Sequence, residues 1–80
     1  MDASLKRLNQ IDYGVSVVIQ ELLHEGELRT RLLELGFLPG AEVRLVRAAP
    51  LGCPVEVDVG GARFSMRIRI LESILVGPLA

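Results

Sequence analysis

"VEVDVGGARFSMRI", residues 55–68, carries the clearest structural signal in the chain. Val55, Val57 and Val59 alternate with Glu56 and Asp58, so an extended backbone puts three valines on one face and two carboxylates on the other. Gly60-Gly61 follows, a pair that tolerates positive φ at both central positions of a tight hairpin turn. "ARFSMRI" (62–68) is then the returning strand. A hairpin with one greasy face is not stable alone, so the flanking sequence must supply more strands.

Upstream, "AEVRLVRA" (41–48) alternates until Val46, where two apolar residues adjoin. A β-bulge at that point would re-phase the strand. Pro39-Gly40 suits the two central positions of a type II turn. "EGELRTRLLELG" (25–36) predicts a helix over roughly 26–35. Its Leu28, Leu32 and Leu35 fall at i, i+4 and i+7 as one apolar stripe, with Arg29 and Arg31 directed elsewhere and Gly36 as the stop. "VSVVIQELL" (15–23) is rich in β-branched residues and predicts a strand. Tyr13-Gly14 is a turn, and "SLKRL" (4–8) a short helical turn capped by Ser4, with Leu5 and Leu8 on one face. Downstream, "RILES" (69–73) predicts one helical turn and "ILV" (74–76) a last short strand.

About five short strands in 80 residues cannot form a flat sheet with a dry face. They must curl into a small closed or half-closed barrel, which also removes exposed edges. The helix would plug an open end with its Leu28/Leu32/Leu35 stripe. Residues 1–80 are read as one mainly-β domain.

Composition excludes several function classes. Nine Lys/Arg stand against ten Asp/Glu, which creates no strong positive field for nucleic acid or acidic lipid. The apolar runs are far shorter than the roughly 20 residues that cross a bilayer, and "MDASLKRLNQ" has no apolar signal core. A soluble, cytoplasmic protein without membrane insertion is expected. The arginines (29, 31, 44, 47, 63, 67 and 69) read as a solvated face. A nucleic-acid groove would want stacking aromatics, as would a proline-rich-peptide groove. Only Tyr13, Phe37 and Phe64 are available, and the two phenylalanines read as core. There is no phosphate loop, paired-carboxylate motif or nucleophile-base constellation, so no enzyme is expected.

Two places retain chemical interest. The first is "AAPLGCP" (Ala48, Ala49, Pro50, Leu51, Gly52, Cys53, Pro54), an apolar connection where strand loops are normally polar. It is either a partner-binding surface or a loop packed on its own barrel. Cys53, the only cysteine, is expected to be a small, partly buried residue in a tight turn, a metal ligand or an intermolecular thiol being the alternatives. With His24 as the only histidine in the chain, a catalytic thiolate is not expected. The second place is "QELLHEGE", where His24 is accompanied by Glu21, Glu25 and Glu27. Imidazole with carboxylates can hold Zn²⁺ or Fe²⁺. One histidine on a loop makes such a site weak or shared between molecules, and a solvated polar junction is the simpler reading. No cofactor is required.

The ordered combination Arg31-Leu32, Leu35-Gly36, Pro39-Gly40, Val43, Pro50-Leu51-Gly52, Pro54, Gly61, Ser65 and Arg67, preceded by "SLKRL" and Gly14, resembles the ferrous-iron transport protein A (FeoA) family. Where that family usually has an acidic residue after "PLG", this chain has Cys53. The resemblance implies an SH3-like barrel and a non-catalytic cytoplasmic accessory role in bacterial ferrous-iron uptake. It implies an interaction with the FeoB-type membrane GTPase and transporter, at the inner face of the inner membrane. The alternative function is a transition-metal-binding (Zn or Fe) regulatory domain whose self-association, for example as a homodimer, responds to metal.

Overall fold

The computed structural model describes residues 5–79. The elements are β1 (Lys6–Arg7), a 3-10 turn (Leu8–Gln10), β2 (Ser16–Leu22), α1 (Gly26–Leu35), β3 (Glu42–Ala48), β4 (Val55–Val59), β5 (Ala62–Met66), α2 (Ile68–Leu71) and β6 (Ile74–Pro78). The six strands form one antiparallel sheet in the order β1-β6-β2-β3-β4-β5. The sixth strand, beyond the five expected, is the two-residue β1 paired with β6.

The hairpin forms as its residues dictate. Val55, Val57 and Val59 are buried, and Glu56 and Asp58 lie on the opposite face. Gly60 and Gly61 have φ of 57° and 88°, conformations that residues with a Cβ rarely adopt. The β3–β4 register shifts between Leu45 and Arg47, which is the bulge expected at Val46. The Pro39-Gly40 turn is closed by the Ala41 N–H donating to the Leu38 carbonyl at 2.9 Å.

The concave face of the sheet supplies most of the core. Val17, Ile19, Val43, Leu45, the three β4 valines, Ile74 and Val76 meet in one buried cluster. A single sheet can surround one cluster from β2, β3, β4 and β6 only by curling, as in SH3-like barrels. Leu8, Leu22, Leu32, Phe37 and Leu71 complete the cluster from outside the regular alternation. The Phe37 and Phe64 rings touch with centroids 5.7 Å apart, tilted by 48°.

Two expectations are corrected. Residues 6–7 are extended, not helical, so Leu5 is exposed while Leu8 enters the core. The proposed Ser4 cap lies outside the described residues. The helix stripe is also wrong in detail. Leu32 is 1% exposed, but Leu28 and Leu35 are 41% and 40% exposed. At about 100° per residue, Leu28 and Leu35 lie on one side of Leu32, while Arg29 and Leu33 lie on the other. The second side is the one tied to the barrel: Leu33 packs on the core, and the exposed Arg29 reaches back so that its Nη1 donates to the Leu22 carbonyl at 3.0 Å. α1 therefore holds to the barrel through Leu32 and through Phe37, just beyond its Gly36 cap.

Candidate partner-binding loop

The β3–β4 connection is a closed six-residue loop. The Ala49 N–H donates to the Pro54 carbonyl at 2.9 Å across its base. The Gly52 N–H donates to the Ala49 carbonyl at 2.7 Å, making a β-turn with Pro50 and Leu51 at the centre. Gly52 has φ of 93°, which lets the chain leave that turn toward Cys53 without a side-chain clash. Two prolines fix φ on either side, so little conformational freedom remains for the loop to lose.

This frame holds Leu51 at 97% exposure, the most exposed large apolar side chain of the described residues. The alternative that the loop packs on its own barrel is thereby excluded for Leu51. Pro50, Gly52, Cys53 and Pro54 are also exposed, whereas Ala49 is half-buried and Ala48 packs against the core as the anchor. Cys53, expected to be partly buried, is a free exposed thiol. The reason is the tightness of the turn, which lifts residues 50–54 off the barrel. Beside the loop runs an open cleft of about 450 Å³ lined by loop residues Ala49, Pro50 and Pro54 together with Arg47, Glu56 and Ser65 from the neighbouring strands.

Arg47 and Glu56 are part of a charge ladder that composition alone did not disclose. Across β3, β4 and β5 the outward residues alternate in sign: Arg44 with Asp58 at 3.6 Å, Arg47 with Glu56 at 3.0 Å, and Arg63 with both Glu56 and Asp58 at 3.9 Å. The signal was available in the hairpin, because a two-residue Gly-Gly turn fixes Asp58 opposite Arg63. The ladder neutralises the arginines where they sit, which leaves the apolar loop as the distinctive feature of this end of the molecule.

His24 is placed differently from a metal ligand. Its Nε2 donates to the Ile70 carbonyl at 2.9 Å, and its Nδ1 is buried with no hydrogen-bond partner. Glu21, Glu25 and Glu27 are exposed and are not gathered around it. Among the described residues, no group of three or more His, Cys, Asp or Glu side chains is placed to hold a metal ion. Within one chain, His24 and these glutamates therefore do not form a closed metal shell. The ring is more than a solvated junction, because its hydrogen bond joins the loop before α1 to α2. No helix among the described residues is long and apolar enough to cross a membrane.

Comparison with known proteins places this geometry in context. The family model described as the FeoA domain matches residues 6–78. A curated relative from Porphyromonas gingivalis, a Fe(2+) transport protein A/Fe(2+) transporter FeoB fusion protein, is 34% identical over 61 residues. That alignment covers 76% of this chain but only 7% of the fusion protein's length. The solution structure of the FeoA protein from Chlorobium tepidum matches with a TM-score of 0.86 and 35% identity, over 94% of this chain and 71% of that one. A crystal structure of Stenotrophomonas maltophilia FeoA, described as a prokaryotic SH3 domain protein and complexed with zinc, matches with a TM-score of 0.72 and 37% identity, over 86% of each chain.

Proposed function

The chain belongs to the FeoA domain family, and on that premise we propose that it is a non-catalytic cytoplasmic accessory of ferrous-iron uptake that docks on a FeoB-type transporter GTPase through its β3–β4 loop. One observation carries this reading: Leu51 is presented to solvent at 97% exposure on a frame stiffened by Pro50, Pro54 and two backbone hydrogen bonds. An isolated leucine on a flexible loop would lose much of its binding energy to ordering. Here that ordering is complete before any partner arrives. An apolar knob of this kind fits a pocket on another protein, where its burial would return about 1.5–3 kcal/mol. The fusion of both components in one chain in the P. gingivalis relative supports the choice of a FeoB-type partner. Ferrous iron is the transporter's cargo in this reading and is not held by the present chain.

The test is Leu51→Glu. Leu51 touches nothing that holds the fold, so the melting temperature is expected to stay within a degree or two. Capture of the transporter from membranes of iron-starved cells is expected to weaken by about 30-fold, equivalent to about 2 kcal/mol for a central anchor. A fully folded variant that still captures the transporter and still supports iron-dependent growth would remove the loop from the interface.

A further inference from the structure

A single leucine does not make an interface. A specific protein contact buries roughly 800 Å² on each partner, drawn from about 20–30 residues a side. The β3–β4 loop offers five exposed residues, Pro50 to Pro54. The rest of the footprint must lie beside the loop, and the topology restricts where. β3 ends at Ala48 with β4 on one side and β2 on the other. On the β4 side stands the charge ladder, whose arginines and carboxylates already pair with one another. On the β2 side the surface is apolar. The registers Ser16↔Arg44 and Val17↔Pro78 bring the start of β2 and the last residues of β6 to the same end of the barrel as the loop. That end exposes Tyr13, Val15 and Leu79, with Asp12 as the charged neighbour in the turn. The exposed Leu23, Leu28, Leu35 and Leu38 belong instead to the β2–β3 connection, at the opposite end.

Taking the loop as the docking element proposed above, we infer that Tyr13 is the second anchor of the same contact. The FeoB-type partner then spans this end of the barrel from Leu51 to Tyr13, with Val15 and Leu79 extending the apolar surface. Two observations carry the assignment. The first is presentation. Phe37 is buried and Phe64 half-buried, whereas Tyr13 is 52% exposed. A tyrosine offers a large, stiff contact area with a polar tip, and such residues recur as interface anchors. The second is preorganisation. Like Leu51, Tyr13 sits at the centre of a closed turn: the Val15 N–H donates to the Asp12 carbonyl at 3.4 Å, and the Gly14 N–H donates to the Leu45 carbonyl at 2.8 Å. Gly14 is thereby tied to β3 three residues before Ala48, about 10 Å along the strand. Both turns hang from one strand, within the span of about 30 Å that a standard footprint covers. The surface that fits is an apolar one with a recess for each side chain and a hydrogen-bond acceptor for the Tyr13 hydroxyl.

Tyr13 is the only tyrosine in the chain, so incorporation of fluorotyrosine gives a single fluorine resonance at this position. Titrated with a purified FeoB-type transporter in detergent, that resonance is expected to shift or broaden. In the Leu51→Glu chain the same change should need about 30-fold more transporter. Tyr13 lies outside the buried cluster, so Tyr13→Ser is expected to fold, which its melting curve checks. Its affinity for the transporter should fall about 10-fold, while Tyr13→Phe, which keeps the ring, should lose only about 3-fold. Leu28→Ala, at the other end of the barrel, should bind like the unsubstituted chain. Full affinity in folded Tyr13→Ser overturns the second anchor and leaves the loop reading standing. So does an unmoved resonance in a complex that Leu51→Glu weakens, or an equal loss in Leu28→Ala. Full affinity in Leu51→Glu, or no complex with the unsubstituted chain, overturns the loop reading and the shared face with it.

Discussion

His24 Nε2 donates a 2.9 Å hydrogen bond to the carbonyl of Ile70, a residue 46 positions away in sequence. The bond joins the segment that leads into α1 to the single turn of α2. Both of these elements are short, and neither could hold its place by its own hydrogen bonds. Replacing His24 by Ala leaves the Ile70 carbonyl without this donor. The expected cost is about 1 kcal/mol. For a domain of this size that lowers the melting temperature by about 4–8 °C, measurable by calorimetry. Zinc titration of the same two proteins should give indistinguishable isotherms, since the ring serves the fold.

The helix attachment is tested by a pair of substitutions. Leu32→Ala removes a side chain packed in the core and is expected to cost about 2–5 kcal/mol, a large share of the stability of an 80-residue domain. Leu28→Ala, one turn earlier at 41% exposure, should cost under about 1 kcal/mol. Chemical denaturation of both variants decides it. Equal losses would mean that α1 buries the whole leucine stripe after all.

The β4–β5 turn makes a stereochemical prediction. Gly60 has φ of 57° and nothing stands within 4 Å of where a Cβ would be. Any penalty for substitution is therefore one of backbone conformation and not of space. Gly60→Asn, which tolerates this region, should be nearly neutral, whereas Gly60→Val should lose about 1–2 kcal/mol. Thermal unfolding of the two variants side by side separates the effects.

The charge ladder should matter little to stability. Its arginines are 41–74% exposed at the side chain, and exposed pairs contribute about 0–1 kcal/mol each. Asp58→Asn is expected to shift the melting temperature by no more than a few degrees, with the shift shrinking in high salt.

Cys53 sits two residues from the Leu51 knob and is exposed. Cys53→Ser preserves the size and turn geometry of the loop. It should leave both the melting temperature and capture of the transporter unchanged, in contrast to Leu51→Glu. A marked loss of capture would give the thiol a role in the contact.

The sequence by itself determined the parts governed by neighbours along the chain. The hairpin at Gly60-Gly61, the turn at Pro39-Gly40, the bulge at Val46 and the stop at Gly36 all follow from short-range sterics and a period of two, which act before any tertiary contact forms. The core valines of β4 followed for the same reason. What remained hidden depended on surfaces meeting from distant parts of the chain. A stripe of leucines says that a helix has an apolar side. It does not say how far the barrel will rotate that side, and here Leu28 and Leu35 were left in water while Leu33 packed on the core and Arg29, still exposed, reached the Leu22 carbonyl. Likewise no local signal links His24 to Ile70, because that bond exists only once α2 has folded back beneath the loop. The loop at residues 48–54 fell between these cases. Its stiffness was written in Pro50, Gly52 and Pro54, but whether Leu51 faced the barrel or the solvent was settled only by how tightly the turn closed on Ala49 and Pro54.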